Sequence, residues 1–371
     1  MHLLIAGGGT GGHLFPGIAL AEDLMSRNQD HRVVFVGTRR GIEFRAVPRA
    51  GFTLDCIQVG GLKGSGLMGW MRGLFRVPRA MWQSRRIIRR FHPDVVVGVG
   101  GYASGPVVLM AWLMRIPTMI MEQNALPGFT NKILGKVVRR VVVSFPDAAP
   151  FFPKRKVRAL GNPVRKALAE NFLRSNQPKS GQDVLIFGGS QGARTLNRVV
   201  PEAAKLLNER WPGLRFVHQT GEKELEGVRD HYKELGLVEV AEVTPFIHDM
   251  AAAYRRSDLV ICRAGATTVS ELSLCRKAAV LIPFPHAADN HQEVNARALV
   301  DAGAALMVRE DDLSPEGLAS LVGEVLADGD KRAAMEDAAG RVSRPEAARD
   351  ICELCLELGA KSRWRHHEEV S

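Results

Sequence analysis

The chain lacks any unbroken apolar run of the ~18 residues a helix needs to cross a bilayer. Its longest candidate, residues 103–114, is interrupted by Gly105 and Pro106 and stops at Arg115, so no membrane-spanning helix is expected. Cysteine is sparse: the five residues Cys56, Cys262, Cys275, Cys352 and Cys355 are odd in number and widely spaced. The apolar start at residues 1–6 stops at glycines, so no signal peptide is expected. A disulfide framework is therefore not expected, and a reducing cytoplasm fits. Cys352 and Cys355 lie three apart in a helical pattern with no second ligand pair, which favours helix packing over zinc.

Acidic residues are missing from one long stretch. Between Asp55 and Asp94 no Asp or Glu occurs, whereas Lys63, Arg72, Arg76, Arg79, Arg85, Arg86, Arg89 and Arg90 all fall there. With a net charge of +10, this concentration implies an anionic partner. Leu67, Met68, Trp70, Met71, Leu74 and Phe75 form an apolar stripe rimmed by Arg72, Arg76 and Arg79. Such a patch can enter a headgroup layer while its arginines hold phosphates, so an anionic phospholipid surface, not nucleic acid, is the expected partner. A core helix with a solvated basic face is the competing reading. Gly64, Gly66, Gly69, Gly73 and Pro78 make it a poor core helix and favour the surface patch.

At 371 residues, two domains are the natural expectation. Short β-branched runs alternate with helical patterns, as in βαβ units. Residues 2–6, 32–37, 53–59, 94–99, 118–121 and 139–144 predict one parallel sheet. Residues 183–187, 215–218, 238–243, 258–262, 278–282 and 304–308 predict a second. A strand at 156–160 precedes Gly161-Asn162-Pro163, which cannot continue regular structure and marks the boundary. Residues beyond Lys361 read as a solvated or frayed tail.

Each half opens with a strand feeding a glycine-rich turn. Gly7, Gly9 and Gly12 satisfy G-x-G-x-x-G ahead of a helix expected at residues 18–27, a pattern that lets backbone amides approach an anion. A dinucleotide site would want an acid at the end of the second strand, and that strand ends Val36-Gly37-Thr38-Arg39-Arg40. Arginines there would suit a phosphorylated ribose, so nicotinamide binding stays open but disfavoured. Gly188, Ser190 and Gly192 satisfy G-x-S-x-G, the elbow of a hydrolase, with His218, His248, His286 and His291 downstream. Its place at the first turn of a second sheet favours a phosphate-facing Ser190 instead. A third turn, Gly98 to Pro106, holds no titratable group except Tyr102 and is suited to shaping a cleft.

Metal-ligating patterns are few. Asp328-Gly329-Asp330 joins two helical patterns and reads as a turn. His286, Asp289 and His291 have spacings that zinc could use, although residues 289–292 equally resemble a helix cap.

Taken in order, Gly8-Gly9-Thr10-Gly11-Gly12-His13, Gly100-Gly101-Tyr102, Glu122-Gln123-Asn124, Gly161-Asn162-Pro163-Val164-Arg165, Gly188 to Arg194, Arg263 to Glu271 and Asp289-Asn290-His291-Gln292 resemble the MurG family. The match runs from residue 1 to about residue 360. It implies an α/β GT-B fold of two Rossmann-like domains facing across a cleft. Residues 1–162 would be the acceptor and membrane-binding domain and 163–340 the UDP-GlcNAc domain. Residues 341–371 would be a helix returning to the first domain, plus a polar tail. The resemblance implies an inverting transfer of GlcNAc from UDP-GlcNAc to the muramoyl sugar of lipid I, giving lipid II. It also implies a peripheral location on the cytoplasmic face of the bacterial inner membrane, with other cell-wall enzymes as possible partners.

Roles follow residue by residue. A leaving diphosphate gains charge, and with neither metal nor cofactor expected, helix N-termini and an arginine must meet it. The amides of Ser190, Gln191 and Gly192 and of Ala266, Thr267 and Thr268 are the candidates, with Arg165 as the guanidinium. Thr10, Gly11, Gly12 and Asn124 would also contact the donor. Glu271 would accept the ribose hydroxyls, against a competing reading in which Thr268 to Glu271 is a capping box. Ile247 would meet uracil through its backbone, and His291 and Gln292 the GlcNAc hydroxyls. His13, kept neutral at a helix start, is the expected base, with Glu122 as the substitute. Gly100, Gly101, Tyr102 and Asn124 would hold the acceptor. Three other classes stay open: a UDP-sugar transferase acting on diacylglycerol, a UDP-GlcNAc 2-epimerase, and a non-catalytic nucleotide-binding membrane protein.

Overall fold

The computed structural model describes residues 1–59, 67–174, 183–189, 192–287 and 290–368, with backbone alone for 67–76, 173–174 and 361–368. The chain divides into two compact units, Met1–Lys166 with Arg344–Ser371, and Ala167–Ser343.

The first unit is built on β1 (His2–Gly7), β2 (Arg32–Gly37), β3 (Thr53–Cys56), β4 (Val95–Gly100), β5 (Thr118–Glu122), β6 (Arg140–Val143) and β7 (Val157–Ala159). They lie in the order β3-β2-β1-β4-β5-β6-β7, and every pairing is parallel. The strands read as continuous apolar runs because both faces are covered. Leu3 and Ile5 pack on one face with Leu14, Leu20 and Val97. Leu4 and Ala6 pack on the other with Val96, Val107 and Ile120. Ile351, Cys352, Cys355 and Leu358 of the helix Ala347–Glu368 join the first of these cores. Both cysteines are therefore packing residues with free thiols, and burial pushes that of Cys352 up to about 12.

Several boundaries differ from expectation, and the strand expected at 238–243 runs Ala241–Thr244. The first helix starts at Gly11 and runs to Arg27, because extended Thr10 lets the turn begin at once and glycine costs little where amides lack helical partners anyway. β3 stops at Cys56. The last helix continues to Glu368, since no glycine or proline follows Gly359 to end it.

The basic segment forms one helix, Leu67–Phe91, with Gly69, Gly73 and Pro78 inside it. Ala80, Ser84, Ile87 and Ile88 are buried at helical spacing, while Arg79 and Trp82 are exposed. The side chains of Leu67, Met68, Trp70, Met71, Arg72, Leu74, Phe75 and Arg76 lie outside the described residues. Among the described residues, no helix is long and apolar enough to cross a membrane.

The second unit has β8 (Asp183–Phe187), β9 (Arg215–Gln219), β10 (Ala241–Thr244), β11 (Leu259–Cys262), β12 (Ala279–Leu281) and β13 (Ala305–Met307), in the order β10-β9-β8-β11-β12-β13. All pairings are again parallel. Val184, Ile186, Leu259 and Ile261 pack with Leu196, Val200 and Leu207 of the helix Arg194–Arg210. Asp328 caps the helix Gly329–Val342 by accepting the Lys331 amide at 2.9 Å, so the Asp-x-Asp pair is a helix start.

Candidate active site

Strand order reverses between β1 and β4 in the first unit and between β8 and β11 in the second. In open parallel sheets, ligands bind beyond the carboxyl ends of strands at such a switch point. Glycine-bearing segments that begin at Gly7, Gly100, Gly188 and Arg263 leave those four strands.

In the first unit Gly7 pairs with Gly100, so two of the turns begin side by side. The Gly8 amide donates to the Gly100 carbonyl at 3.3 Å. A Cβ on Gly101 would sit 2.3 Å from the Gly8 oxygen, and one on Gly100 would sit 2.8 Å from Cδ2 of His13. Gly100 has φ +95° and Gly101 φ +78°, so these approaches to the His13 ring and to the Gly8 carbonyl are open to glycine alone. His13 is the third residue of its helix, and the Thr10 hydroxyl lies 3.3 Å from its Nδ1. The helix start disfavours a charged imidazole there. Tyr102 is 58 % exposed beside them.

One acid escaped the sequence reading. Glu43, at the start of the helix Glu43–Arg49, is buried and turns its carboxylate back under the first glycine turn. Oε2 accepts the Gly9 amide at 2.7 Å, and Oε1 accepts the amide and hydroxyl of Thr38 at 2.9 and 2.8 Å. A Cβ at Gly8, Gly37 or Gly41 would fall 2.0–2.5 Å from this side chain. The Gly9 amide, which a dinucleotide fold would turn toward phosphate, is thus taken by the protein's own anion. That counts against a nicotinamide dinucleotide at this turn.

Glu122, at the end of β5, is 1 % exposed. Its oxygens accept the Asn124 amide at 3.0 Å, the Gly128 amide at 3.2 Å and the Asn131 side chain at 2.8 Å. Burial pushes its carboxyl up, against the pull of those donors. Asn124 adds a longer side-chain contact at 3.4 Å. Arg165, in the same unit, lays its guanidinium over the Phe15 ring at 5.0 Å.

In the second unit Phe187 of β8 pairs with Cys262 of β11, which sets the turn after β8 next to the helix Ala266–Leu274. Ser190 and Gln191 lie outside the described residues. On their flanks, Gly192 donates to Gly189 O at 2.9 Å. Gly192 has φ +74°, and a Cβ there would lie 1.9 Å from the Thr220 carbonyl oxygen. Gln219 also escaped the sequence reading. Its Nε2 donates to Gly189 O at 2.9 Å while Oε1 accepts the Ile247 amide at 3.0 Å, tying glycine turn and Ile247 to one side chain.

The helix Ala266–Leu274 starts from Gly265 with no side-chain cap, and Ala266, Thr267 and Thr268 form its first turn. Thr268 and Glu271 are inside the helix, so they form no capping box. Glu271 is buried and accepts the Tyr254 hydroxyl at 3.2 Å. After β12, Asn290 has φ +55° and donates to Glu293 at 2.8 Å. Arg309, that asparagine and Arg297 hold the Glu293 carboxyl down at about 2. His291 opens the next helix, and Gln292 Oε1 accepts the Phe284 amide at 3.0 Å. Asp289 lies outside the described residues. A cavity of about 240 Å³ in this unit is lined by Asp183, Thr244, Phe246, Ile247, His248 and Ala252, among others.

Comparison with known proteins agrees with this anatomy. The glycosyltransferase family 28 N-terminal domain matches residues 3–143, and the glycosyltransferase family 28 C-terminal domain matches residues 183–351. A Myxococcus xanthus protein is 56 % identical over 358 residues, 96 % of this chain and 93 % of that protein. It is named UDP-N-acetylglucosamine--N-acetylmuramyl-(pentapeptide) pyrophosphoryl-undecaprenol N-acetylglucosamine transferase. The crystal structure of Acinetobacter baumannii MurG superposes with a TM-score of 0.77 at 32 % identity, covering 96 % of this chain and 99 % of that one. A UDP-GlcNAc 2-epimerase from Neisseria meningitidis, with TM-score 0.67 and 14 % identity over 96 % of this chain and 100 % of that one, shares the fold alone. Two parallel-sheet α/β units of this kind make the GT-B fold. The chain belongs to glycosyltransferase family 28 and, within it, to the MurG family.

Proposed function

We propose that the protein transfers N-acetylglucosamine from UDP-GlcNAc to the 4-hydroxyl of the muramoyl sugar of lipid I, producing lipid II for peptidoglycan. The observation that carries this reading is the pairing of Phe187 with Cys262 at a switch point. It sets a glycine turn and a helix N-terminus side by side, the arrangement a diphosphate needs.

In the reaction the acceptor oxygen bonds to the anomeric carbon as the bond from that carbon to the diphosphate breaks, and UDP leaves with the electron pair. Attack opposite the leaving group inverts α to β. The hydroxyl proton passes to His13, whose ring is seated on Gly100 and held by Thr10. Glu122 serves by shaping the 124–131 turn, because its burial and its donors keep it from reaching a substrate. Gly100, Gly101, Tyr102 and Asn124 hold the acceptor.

On the donor, the amides of Ser190, Gln191, Ala266, Thr267 and Thr268 meet the diphosphate, while the Gly192 amide, already donated to the Gly189 carbonyl, sets the shape of the turn. Helix starts of this kind contribute about 0.3–2 kcal/mol each toward an anion. Thr10, Gly11, Gly12 and Arg165 add to that contact. Glu271, steadied by Tyr254, takes the ribose hydroxyls, and His291 and Gln292 the sugar hydroxyls. Since Gln219 already holds the Ile247 amide, Ile247 would meet uracil through its carbonyl. In this reading the protein sits peripherally on the cytoplasmic face of the inner membrane, with Leu67, Trp70, Met71, Leu74 and Phe75 meeting the headgroup layer and Arg72, Arg76 and Arg79 the lipid phosphates; the run of basic residues without an acid between Asp55 and Asp94 supports it.

The test is UDP release from UDP-GlcNAc and a short-chain lipid I in the presence of EDTA. Release that tracks disaccharide formation is expected. UDP binding without release would sink the transferase reading in favour of an epimerase or a scaffold.

A further inference from the structure

Behind the turn that follows β8 runs a chain of buried polar side chains that touches no substrate in the reaction above. His218 on β9 is fully buried, with Nδ1 3.2 Å from the Tyr232 hydroxyl and Nε2 3.2 Å from Oδ1 of Asn197. The Asn197 amide nitrogen lies 3.0 Å from the Thr220 carbonyl and 2.7 Å from the Glu224 carboxylate. Carbonyl and carboxylate only accept, so the amide must aim its NH₂ at them and its oxygen at His218. Facing an acceptor, Nε2 must carry hydrogen. Burial pushes the ring down to about 3, so it is neutral, and Nδ1 is left to accept the Tyr232 hydroxyl. Every donor then has one assigned acceptor, and the direction runs from Tyr232 through His218 to Asn197 and on to Thr220 and Glu224.

The far end of this chain bears on the glycine turn. Gly192 rests on the Thr220 carbonyl with no room for a Cβ, and that carbonyl is the one the Asn197 amide holds. Glu224 also pairs with Arg194, which opens the helix after the turn, at 3.2 Å. Gln219, next to His218 on β9, holds Gly189.

We propose that His218 is a positioning residue for the diphosphate-binding turn. By orienting the Asn197 amide it fixes how the Thr220 carbonyl carries Gly192, and so the backbone at Gly189 and Gly192 that frames the turn assigned to the nucleotide sugar. The inference rests on the assignment of that turn to the donor diphosphate.

His218→Gln keeps an N–H near the Nε2 position, whereas His218→Leu leaves the Asn197 oxygen without a donor. In UDP titrations and steady-state kinetics, His218→Leu is expected to raise Kd for UDP and KM for UDP-GlcNAc about tenfold, as loss of a supporting partner does elsewhere. kcat should change by less than about threefold, the acceptor KM should hold, and His218→Gln should recover most of the loss. A long-range ¹H–¹⁵N spectrum of labelled wild-type protein should show the neutral Nε2–H tautomer unchanged from pH 8 to pH 5. The Nδ1–H tautomer, a folded His218→Leu that binds UDP as wild type does, or equal impairment of the Leu and Gln variants each overturns the proposal. Should His218→Leu not fold, Tyr232→Phe carries the test, with a shifted imidazole signal and weaker UDP binding expected; an unchanged spectrum with unchanged Kd overturns it. Wild-type protein that fails to bind UDP overturns the donor assignment itself, and this inference with it. Normal wild-type binding with the wrong tautomer overturns the inference alone.

Discussion

The Gly9 amide and Oε2 of Glu43 are 2.7 Å apart, and that single bond turns the first glycine turn inward onto the protein's own carboxylate. Its other oxygen closes on Thr38, so one buried side chain joins the ends of β1 and β2. Glu43→Gln, of nearly the same volume, must face an NH₂ toward an N–H or O–H donor. Losing hydrogen bonds to a charged group costs about 1.5–3 kcal/mol each. A loss of unfolding free energy of that order, seen as a lower urea midpoint, is expected, with kcat falling as well because His13 hangs on the same turn. An unchanged midpoint would show that Glu43 is not the anchor.

Gly100→Ala tests the seat of His13. The new Cβ would arrive 2.8 Å from Cδ2 of the ring at a φ of +95°, so the ring must move and the backbone must strain. Misplacing a reacting group by about 1 Å can cost 10²-fold in rate, whereas the strain costs about 1–3 kcal/mol. A loss of kcat on that scale is expected, with UDP affinity near wild type. Gly105→Ala is the control, since its Cβ meets Thr130 at an ordinary 3.4 Å. Equal effects of the two substitutions would remove the special role of Gly100.

Both sheets were legible because strands buried on two faces are written as near-continuous runs such as Leu3-Leu4-Ile5 and Val95-Val96-Val97, and the glycine turns because positive φ demands glycine. What the sequence hid was contact between distant residues. Nothing local marks Glu43 as the partner of Gly9, thirty-four positions away. His218 reads as a strand residue, or as one of four histidines downstream of a hydrolase-like elbow, until the fold supplies Tyr232 and Asn197. Thr268 and Glu271 have capping-box spacing, and only the start of the helix at Gly265 shows that the box is not used. The early start of the first helix was hidden for a related reason: helix propensity penalises Gly11 and Gly12 without knowing that they fall in a first turn.

The basic helix gives a prediction that separates membrane contact from chemistry. Changing Arg72, Arg76 and Arg79 together to glutamate removes three attractions to an anionic surface, each about 1 kcal/mol, and adds three repulsions. Co-sedimentation with anionic vesicles should be lost, while UDP release with a short, water-soluble acceptor should persist. Retained co-sedimentation would count against this face as the membrane contact.

Acid unfolding offers a separate reading of His218. Its folded-state value lies at about 3, below the ordinary 6.5, because burial penalises the charged ring. Between those two pH values the unfolded chain binds a proton that the folded one refuses. This group's stabilising contribution is therefore complete above pH 6.5 and is lost as pH falls toward 3. At pH 4 the loss is on the order of 3 kcal/mol relative to pH 7.5. Other groups, Glu293 among them, also titrate in acid, so the contribution is isolated by difference. Denaturant unfolding of wild type and His218→Gln at both pH values should show the wild type losing more stability on acidification by about that amount. Parallel pH profiles for the two proteins would mean that the ring is not held neutral in the fold, and the donor–acceptor order from Tyr232 to Asn197 would fail with it.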